Sequence, residues 1–298
     1  MPQTAVADSE TGLPLSELAE RHGLTSAGRL PSVVEYSRQL WAYRHFIGAF
    51  ANAKVTASLG STRLGMIWQV LTPLINAGVY FVIFGVILDT KRSVNHFIAY
   101  LCIGVFVFGF TQSVVQSGVQ AISGNLGLIR ALHFPRAAMP IALTLVEIRN
   151  MMVSTVVLMV IVLFSHQPVN WQWLLLLPAL VLQSIFNAGL ALLVARVGTK
   201  FHDIRQLIPF IMRFWLYGSA VIYPVTFFTD KLHGWKLDVV ELNPLLVYID
   251  LVRHALMEGV PLAGSAWRLW TEAIVWTVLM GSLGYFYFWR GEKGYGRG

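Results

Sequence analysis

The chain has 298 residues, of which 56% are hydrophobic and 12% charged, and its net charge is +7. Soluble globular domains carry about 25% charged residues, so a chain this apolar is expected in a lipid bilayer rather than folded around one soluble core. The cations are dispersed among apolar segments, which argues against nucleic acid as a partner. The single cysteine, Cys102, excludes an intrachain disulfide and a cysteine-based zinc site, and no metal site is expected.

The first 63 residues contain no stretch that could span a membrane. Residues 1–30 carry four acidic side chains and lack the apolar region of a secretory signal, so they predict a mobile cytoplasmic tail. Residues 31–63 mix aromatic and basic side chains, which is typical of an amphipathic helix lying in the membrane plane. A soluble helix packed on a partner protein is the alternative.

Three long stretches contain no Asp, Glu, Lys or Arg: residues 64–88, 93–129 and 151–195. A transmembrane helix needs ~20 mostly apolar residues, so each of the first two stretches predicts one span. The third is too long for a single helix. Its turn-forming sequence His166-Gln-Pro-Val-Asn170 divides it into two spans that form a hairpin.

Two weaker spans follow these four. Residues 207–228 are apolar apart from Arg213, which can extend to the membrane surface from a position near a helix end. Residues 270–289 are apolar apart from Glu272. The sequence therefore predicts an all-α polytopic membrane protein with about six transmembrane helices, all within residues 64–290.

The distribution of Lys and Arg indicates how the spans are oriented. With six spans, 16 of the 22 Lys and Arg fall on the side of the two termini. Cytoplasmic loops carry the excess of these residues, so both termini, including a C-terminal tail at 291–298, are expected in the cytoplasm. The opposite side then holds residues 229–268, whose short apolar run after Asn243 is typical of a re-entrant or interfacial helix.

A search for chemistry finds little in this chain. It contains no phosphate-binding loop, zinc-protease motif or dinucleotide-binding motif, so neither a catalytic site nor a cofactor is expected. Enzymatic activity is left open, because a translocase would need a separate ATPase subunit. Glu147 is the one candidate for a buried carboxylate of a proton-driven carrier. It lies near the end of its predicted span, which argues against that class.

The cytoplasmic loop after the second span has two interpretations. Residues 125–136 combine apolar helix formers with Arg130 and Arg136, and Pro135 stops any helix there. The loop is either an ordinary basic segment whose charges set the topology, or a short helix on which a cytoplasmic partner docks.

Five motifs follow one another along the chain in an order known from a transporter family. They are Leu64-Gly-Met-Ile-Trp68 with Leu71-Thr-Pro-Leu74, Leu128-Ile-Arg-Ala-Leu-His-Phe-Pro-Arg136, Phe201-His-Asp-Ile-Arg205, Val221-Ile-Tyr-Pro224 and Leu242-Asn-Pro244. With these motifs the chain resembles ABC-2-type permeases, and among them the Wzm-like permeases that export O-antigen, teichoic acid and capsular glycans. It is most similar to actinobacterial and mycobacterial permeases for galactan.

The resemblance implies an assembly and a cargo. The assembly is a homodimer in the bacterial inner membrane with two copies of a separate nucleotide-binding ATPase subunit, which binds the ATP and Mg. The cargo is a polysaccharide linked to polyprenyl pyrophosphate, with galactan as the expected glycan. Residues implied to couple the chain to the ATPase are Leu126, Leu128, Ile129, Arg130, His133, Phe134, Pro135 and Arg136. Residues implied to form a cytoplasmic gate or a second contact are Phe201, His202, Asp203 and Arg205.

Two further sets of residues follow from the implied cargo. A diphosphate favours clustered cations, and the candidates are Arg38, Arg44, Lys54 and Arg63. Their alternative role is contact with ordinary lipid phosphates. A glycan conduit favours aromatic faces, and the candidates are Tyr80, Phe81, Phe84, Phe106, Phe108, Phe110, Trp215, Tyr217 and Tyr223. Their alternative role is packing between helices.

Other functions fit parts of the sequence. An ABC-2 permease for a small lipid or drug would share the loop motifs. A glycolipid flippase without ATP, or a membrane-embedded glycosyltransferase, would share the spans, although no acidic catalytic cluster is visible. A receptor or scaffold protein is a further alternative, which the ordered loop motifs disfavour.

Overall fold

The computed structural model shows a bundle of helices. It describes residues 31–60, 65–87, 96–201, 203–229, 231 and 233–295. In these ranges there is no β-strand. The α-helices described there are α1 (Val33–Ala42), α2 (Arg44–Gly60), α3 (Gly65–Tyr80), α4 (Phe97–Val119), α5 (Leu126–Ala131), α6 (Ala138–Phe164), α7 (Leu176–Lys200), α8 (Ile204–Gly218), α9 (Thr226–Thr229), α10 (Trp235–Glu241), α11 (Pro244–Leu256) and α12 (Ala266–Arg290). The predicted all-α polytopic membrane fold is confirmed.

Four helical segments of the described chain are long and apolar enough to cross a membrane. They are Val70–Ile87, where α3 continues as a π-helix, then Phe97–Val119, Ala138–Phe164 and Trp171–Lys200, where a 3-10 turn precedes α7. Each lies where the sequence predicts a span. The hairpin turn between the last two also forms as predicted, and it includes His166 with a left-handed φ of +56°.

The two weaker spans are both helical, but the first ends earlier than predicted. α8 has 15 residues, so it is about 22 Å long and shorter than a ~30 Å hydrocarbon core. It stops at Gly218, two residues before Ala220 takes a left-handed φ of +47°. The Asn243 side chain caps this end, because it donates to the Gly218 carbonyl at 2.9 Å and to the Ser219 hydroxyl at 3.0 Å. α12 has 25 residues, enough by length to span.

The core is centred on α4, where 17 of the 23 residues are buried inside the protein. α7 packs along it and against α12 on its other side. At the α7–α12 contact, a Cβ added to Gly284 would lie only 1.9 Å from the backbone oxygen of Gly189. This close approach requires glycine on both helices, as is common where membrane helices pack tightly.

The N-terminal segment forms two helices rather than one. α1 and α2 meet at a turn on Tyr43, and their inner faces bury Tyr36, Ile47 and Ala51 against the protein itself. Outer side chains such as Trp41, which is 71% exposed, face away from the bundle. The position of these helices in the membrane plane stays a prediction.

The segment predicted to be non-cytoplasmic contains a helix that is inserted into the bundle. α11 has 13 residues, too few to span, and nearly all of them are buried. Its Arg253 forms a fully buried ion pair with Asp250 at 3.2 Å and lies 3.4 Å from the centre of the Tyr100 ring. Its guanidinium also donates to the carbonyls of Ala220 and Val221. The insertion agrees with a re-entrant helix.

Candidate membrane cavity and connecting loop

A cavity of about 480 Å³ lies between α3, α4, α6 and α8. Its lining is unusually polar for the interior of an apolar bundle. The polar side chains that line it are Thr72, Asn76, Gln112, Ser113, Gln116, Glu147, Asn150, Ser154 and Arg213. All of them except Arg213 have a neighbour in the set three or four residues away, which places such neighbours on one face of their helix. The cavity therefore offers hydroxyl and amide groups from α3, α4 and α6 to a ligand, and a guanidinium from α8.

Two opposite charges border this cavity. Glu147 accepts a hydrogen bond from the Asn150 side chain at 3.1 Å, and Arg213 is exposed on α8. Within the described chain no ion pair joins them. The sequence placed each near the end of a helix and missed that they face the same space. The spacing of Glu147 and Asn150 is the sequence signal that indicates a polar face.

The predicted conduit aromatics divide into two groups. Those that line the cavity are Tyr80, Phe106, Phe108 and Phe110, together with Trp68, which the prediction did not include. The other five lie elsewhere. Phe81 and Phe84 pack against the core, because the chain becomes a π-helix at Phe81, which changes the angular spacing of its side chains.

Three more of the predicted aromatics lie at or just after the C-terminal end of α8. Trp215 donates from its indole nitrogen to the Asn243 side chain at 2.8 Å. Tyr223 donates to the carbonyl of Tyr217, whose own ring is partly exposed. These contacts stabilise the turn after α8 and do not place the three rings at the cavity.

The α4–α6 loop, residues 120–137, contains the predicted coupling residues. A 3-10 turn at Ser123–Asn125 leads directly into α5, so the predicted short helix forms. Arg130 and His133 are exposed, whereas Ile129 and Pro135 are buried. The coupling candidates that are partly buried are Leu126, Leu128, Phe134 and Arg136. Leu132, which the prediction did not include, is 48% exposed just after α5.

This loop is held by both ends of the described chain. The Tyr43 hydroxyl donates to the carbonyl of His133 at 2.9 Å. The backbone N–H of Arg136 donates to one carboxylate oxygen of Glu292 at 2.9 Å, and the Tyr36 hydroxyl donates to the other at 2.7 Å. The Arg136 guanidinium also donates to the Glu292 carbonyl. These contacts fix where the loop leaves α5 and enters α6.

Glu292 is a functional candidate that the sequence analysis missed. Residues 291–298 were predicted to be only a tail, but Glu292–Gly294 form a 3-10 turn and Tyr295 stacks on Phe288 at 4.5 Å. Residues 296–298 lie outside the described residues. Burial raises the pKa of the Glu292 carboxyl, although hydrogen bonds from Arg136 and Tyr36 oppose the shift. Burial and the nearby carboxylate likewise raise the pKa of Tyr36.

A cleft of about 670 Å³ opens beside the same contacts. It is lined by α1, by the α4–α6 loop and by Glu292. The cationic or titratable side chains around it are Arg130, His133, Arg136 and Glu292, with Tyr36 and Tyr43 among the aromatic ones. A partner side chain could fit into this cleft.

The other predicted site residues are not gathered into one site. His202 and Arg63 lie outside the described residues. Phe201 and Asp203 are exposed before α8, whereas Arg205 donates from its guanidinium to the Ser123 hydroxyl. The remaining diphosphate candidates are Arg38 on α1 and Arg44 and Lys54 on α2, all of them exposed.

Arg44 and Lys54 do not form a cluster. Ten residues of α2 separate them, about 15 Å along the helix axis. The Arg44 guanidinium lies 5.4 Å from the centre of the Trp41 ring, and the Lys54 amine lies 5.5 Å from the centre of the Phe50 ring. Each cation thus extends along an aromatic neighbour.

Comparison with known proteins shows which family has this architecture. The family model for ABC-2 type transporters matches residues 47–257, more than half of the chain. The chain is 21% identical over 239 residues to an O-antigen export system permease protein, RfbA, of Myxococcus xanthus, covering 78% of this chain and 90% of that protein. It is 23% identical to an RfbA of Klebsiella pneumoniae, covering 67% and 75% of the two chains.

A relative named for a different polysaccharide shows a similar sequence identity to this chain. The polysialic acid transport protein KpsM of Escherichia coli is 25% identical, covering 69% of this chain and 79% of that protein. The matched family segment runs from α2 to the end of α11, and so includes the cavity and the α4–α6 loop. The chain belongs to the ABC-2 type transporter family.

Proposed function

We propose that this chain is the membrane subunit of an ATP-driven polysaccharide exporter, and that its cargo is a glycan linked to polyprenyl pyrophosphate, with galactan as the expected glycan. It works in the bacterial inner membrane as a homodimer, with both termini in the cytoplasm. Two copies of a separate ATPase subunit bind ATP and Mg. The observation that carries the proposal is the cavity, whose lining of amides, hydroxyls and aromatic rings suits an uncharged sugar chain.

The chemistry of the cavity favours a glycan over other cargoes. Sugar hydroxyls form hydrogen bonds with side chains such as Gln112, Gln116 and Asn150, and the apolar faces of sugar rings pack on aromatic rings such as Trp68 and Tyr80. A small lipid or an apolar drug would leave these polar groups without partners, which costs binding free energy. Relatives named for O-antigen and polysialic acid export support the same class of cargo.

A second pocket supports a lipid-linked cargo. This groove of about 360 Å³ is lined only by apolar side chains of α3 and α6, namely Ile67, Val70, Leu71, Leu74 and Val153. The same two helices border the polar cavity. A lipid chain in the groove and a sugar chain in the cavity would therefore meet at α3, as an amphipathic cargo requires.

Two observations support the assembly. The chain has no phosphate-binding loop, so ATP hydrolysis must come from another subunit, and the exposed part of the α4–α6 loop offers Arg130, Leu132 and His133 to it. Only 11% of the first span, Val70–Ile87, is buried inside the protein. A second copy of the chain packed along this span would cover the apolar surface that borders the cavity.

The proposal is tested by reconstituting the chain with its ATPase subunit in liposomes. We expect lipid-linked galactan to stimulate ATP hydrolysis and to cross the membrane. Gln112→Leu should abolish most of the export, because it removes a cavity amide, whereas Thr271→Val, an exposed change on α12 outside the cavity lining, should leave export unchanged. ATP hydrolysis by the purified chain alone would contradict the two-subunit assembly.

The identity of the glycan has its own test. Depletion of the chain in cells should leave lipid-linked galactan on the cytoplasmic side of the membrane. Normal export of the galactan precursor under depletion would rule out this cargo. Stimulation by a small lipid or drug, and by no glycan, would favour the alternative permease.

A further inference from the structure

A side-chain contact joins α8 to the α4–α6 loop. Arg205, in the first turn of α8, donates from its guanidinium to the hydroxyl of Ser123, which begins the 3-10 turn directly before α5. The Nε of Arg205 is buried and has no acceptor among the described residues. The guanidinium is thus anchored to the loop through the Ser123 hydroxyl, so a movement of this turn is passed to Arg205.

α8 is weakened just beyond this anchor. Pro209 lies inside the helix and has no backbone N–H, so the carbonyl of Arg205 cannot receive the usual helical hydrogen bond from it. The turns that follow Pro209 border the membrane cavity through Met212, Arg213 and Leu216. The helix can therefore bend most easily between the turn that Arg205 anchors and the turns that line the cavity.

The rest of the contact between α8 and the core is apolar. Ile208, Met212 and Leu216 follow one another at intervals of four residues and are buried against the core cluster. Apolar contacts have little directional preference, so they allow a helix to tilt while it stays packed. The hydrogen bond at Arg205 is directional, and it can set the tilt.

We propose that Arg205 is a positioning residue that transmits movement of the α4–α6 loop to the cavity wall formed by α8, with Pro209 as the pivot. The inference rests on the proposed function, in which an ATPase subunit seats on that loop. It assigns Arg205 to a contact within the permease, whereas the sequence analysis expected a contact with the ATPase or a part of a gate.

The test is a double-mutant cycle in the full complex with its ATPase subunit in proteoliposomes. The variants are Ser123→Ala, Arg205→Gln and both together. Ser117→Ala is the matched control, because the Ser117 hydroxyl donates to a carbonyl of its own helix at 2.9 Å. Arg205→Lys keeps a cationic donor. The measured quantities are glycan exported per ATP hydrolysed and the affinity for the ATPase subunit.

We expect each single variant to lower export per ATP by at least about fivefold, the lower end of typical coupling between two sites. The double variant should be no worse than the single ones, because both remove the same interaction. Affinity for the ATPase subunit should stay at the wild-type value, and Arg205→Lys should restore part of the coupling. Ser117→Ala should behave as wild type.

Several outcomes would overturn the inference. Additive losses in the double variant would show that Arg205 and Ser123 act separately. A loss of affinity for the ATPase in Arg205→Gln would make this residue a direct contact. If Arg205→Gln does not fold, Ser123→Ala decides alone, since it removes only the acceptor, and unchanged export per ATP would then refute the proposal.

The two proposals fail in different ways. A wild-type complex that exports no glycan overturns the proposed function and this inference with it. The other case is that the wild-type complex exports glycan and Arg130→Ala lowers the affinity for the ATPase subunit. If the Ser123 and Arg205 variants then keep full coupling, only the role of Arg205 is overturned.

Discussion

The contact between Glu292 and the α4–α6 loop predicts how much stability this loop draws from the C-terminal residues. The carboxylate accepts from the Tyr36 hydroxyl at 2.7 Å and from the Arg136 N–H at 2.9 Å, and Glu292→Ala removes both acceptors. An unsatisfied buried donor costs about 1–3 kcal/mol, and the open cleft favours the lower end of that range, about 1–1.5 kcal/mol for each donor. We therefore expect the two donors together to lower the free energy of local opening by about 2–3 kcal/mol.

Amide hydrogen exchange measures this change directly. A loss of about 2–3 kcal/mol in local stability makes exchange roughly 30- to 150-fold faster in peptides that cover residues 132–140. The matched control is Glu35→Ala, which removes an exposed carboxylate from α1, next to Tyr36. Equal exchange in wild type and Glu292→Ala, or the same acceleration in the control, would refute the reasoning.

The same contact predicts a pH dependence of the loop. Burial raises the pKa of Glu292 in the folded state above its unfolded value. A carboxyl with a raised folded pKa stabilises the fold fully below its unfolded pKa, and this contribution is lost as the pH rises through the folded pKa. After correction for intrinsic exchange, opening of the wild-type loop should increase across that window. Glu292→Gln should remove the dependence, and a flat wild-type profile would contradict it.

Two further predictions concern packing in the bundle. Gly284→Ala should prevent α12 from docking on α7, because its Cβ would lie 1.9 Å from a backbone oxygen. The control Gly78→Ala should fold normally, because no atom lies within 4 Å of the added Cβ. Comparable yields of monodisperse protein for both variants would contradict this prediction. Arg253→Met should leave Asp250 buried without its cation and cost about 3–5 kcal/mol, seen as a lower melting temperature in detergent. Adding Asp250→Asn should recover part of this loss, and an unchanged melting temperature in Arg253→Met would refute it.

The role of the C-terminal residues changes how the α4–α6 loop is understood. A loop tied only to α4 and α6 would move freely under an ATPase subunit. Here Tyr36 and Tyr43 from the N-terminal helices and Glu292 from the C-terminal end hold its second half. Its first half is linked to α8 through Ser123 and Arg205. If a partner presses on α5, the second half of the loop is therefore held in place, whereas the first half can move together with α8.

The sequence by itself determined four of the membrane spans, and it offered the short helix α5 as one of two interpretations of its loop. A span is a local property, since about 20 consecutive apolar residues suffice to cross the hydrocarbon core in any tertiary arrangement. The same holds for α5, where Pro135 limits the helix and its neighbours favour one. The family resemblance also depended on local motifs, and the match over residues 47–257 confirms it.

The tertiary structure alone decided which distant residues share a site. Glu292 contacts Tyr36 across 256 residues of sequence, and nothing near either residue indicates the pairing. The end of α8 at Gly218 is capped by Asn243, which lies 25 residues later and donates to the Gly218 carbonyl. The cavity combines polar residues of four helices, and the sequence of each helix taken alone indicates only a membrane span. Hydrogen bonds and packing between helices depend on how the bundle closes, and no local pattern of residues contains that information.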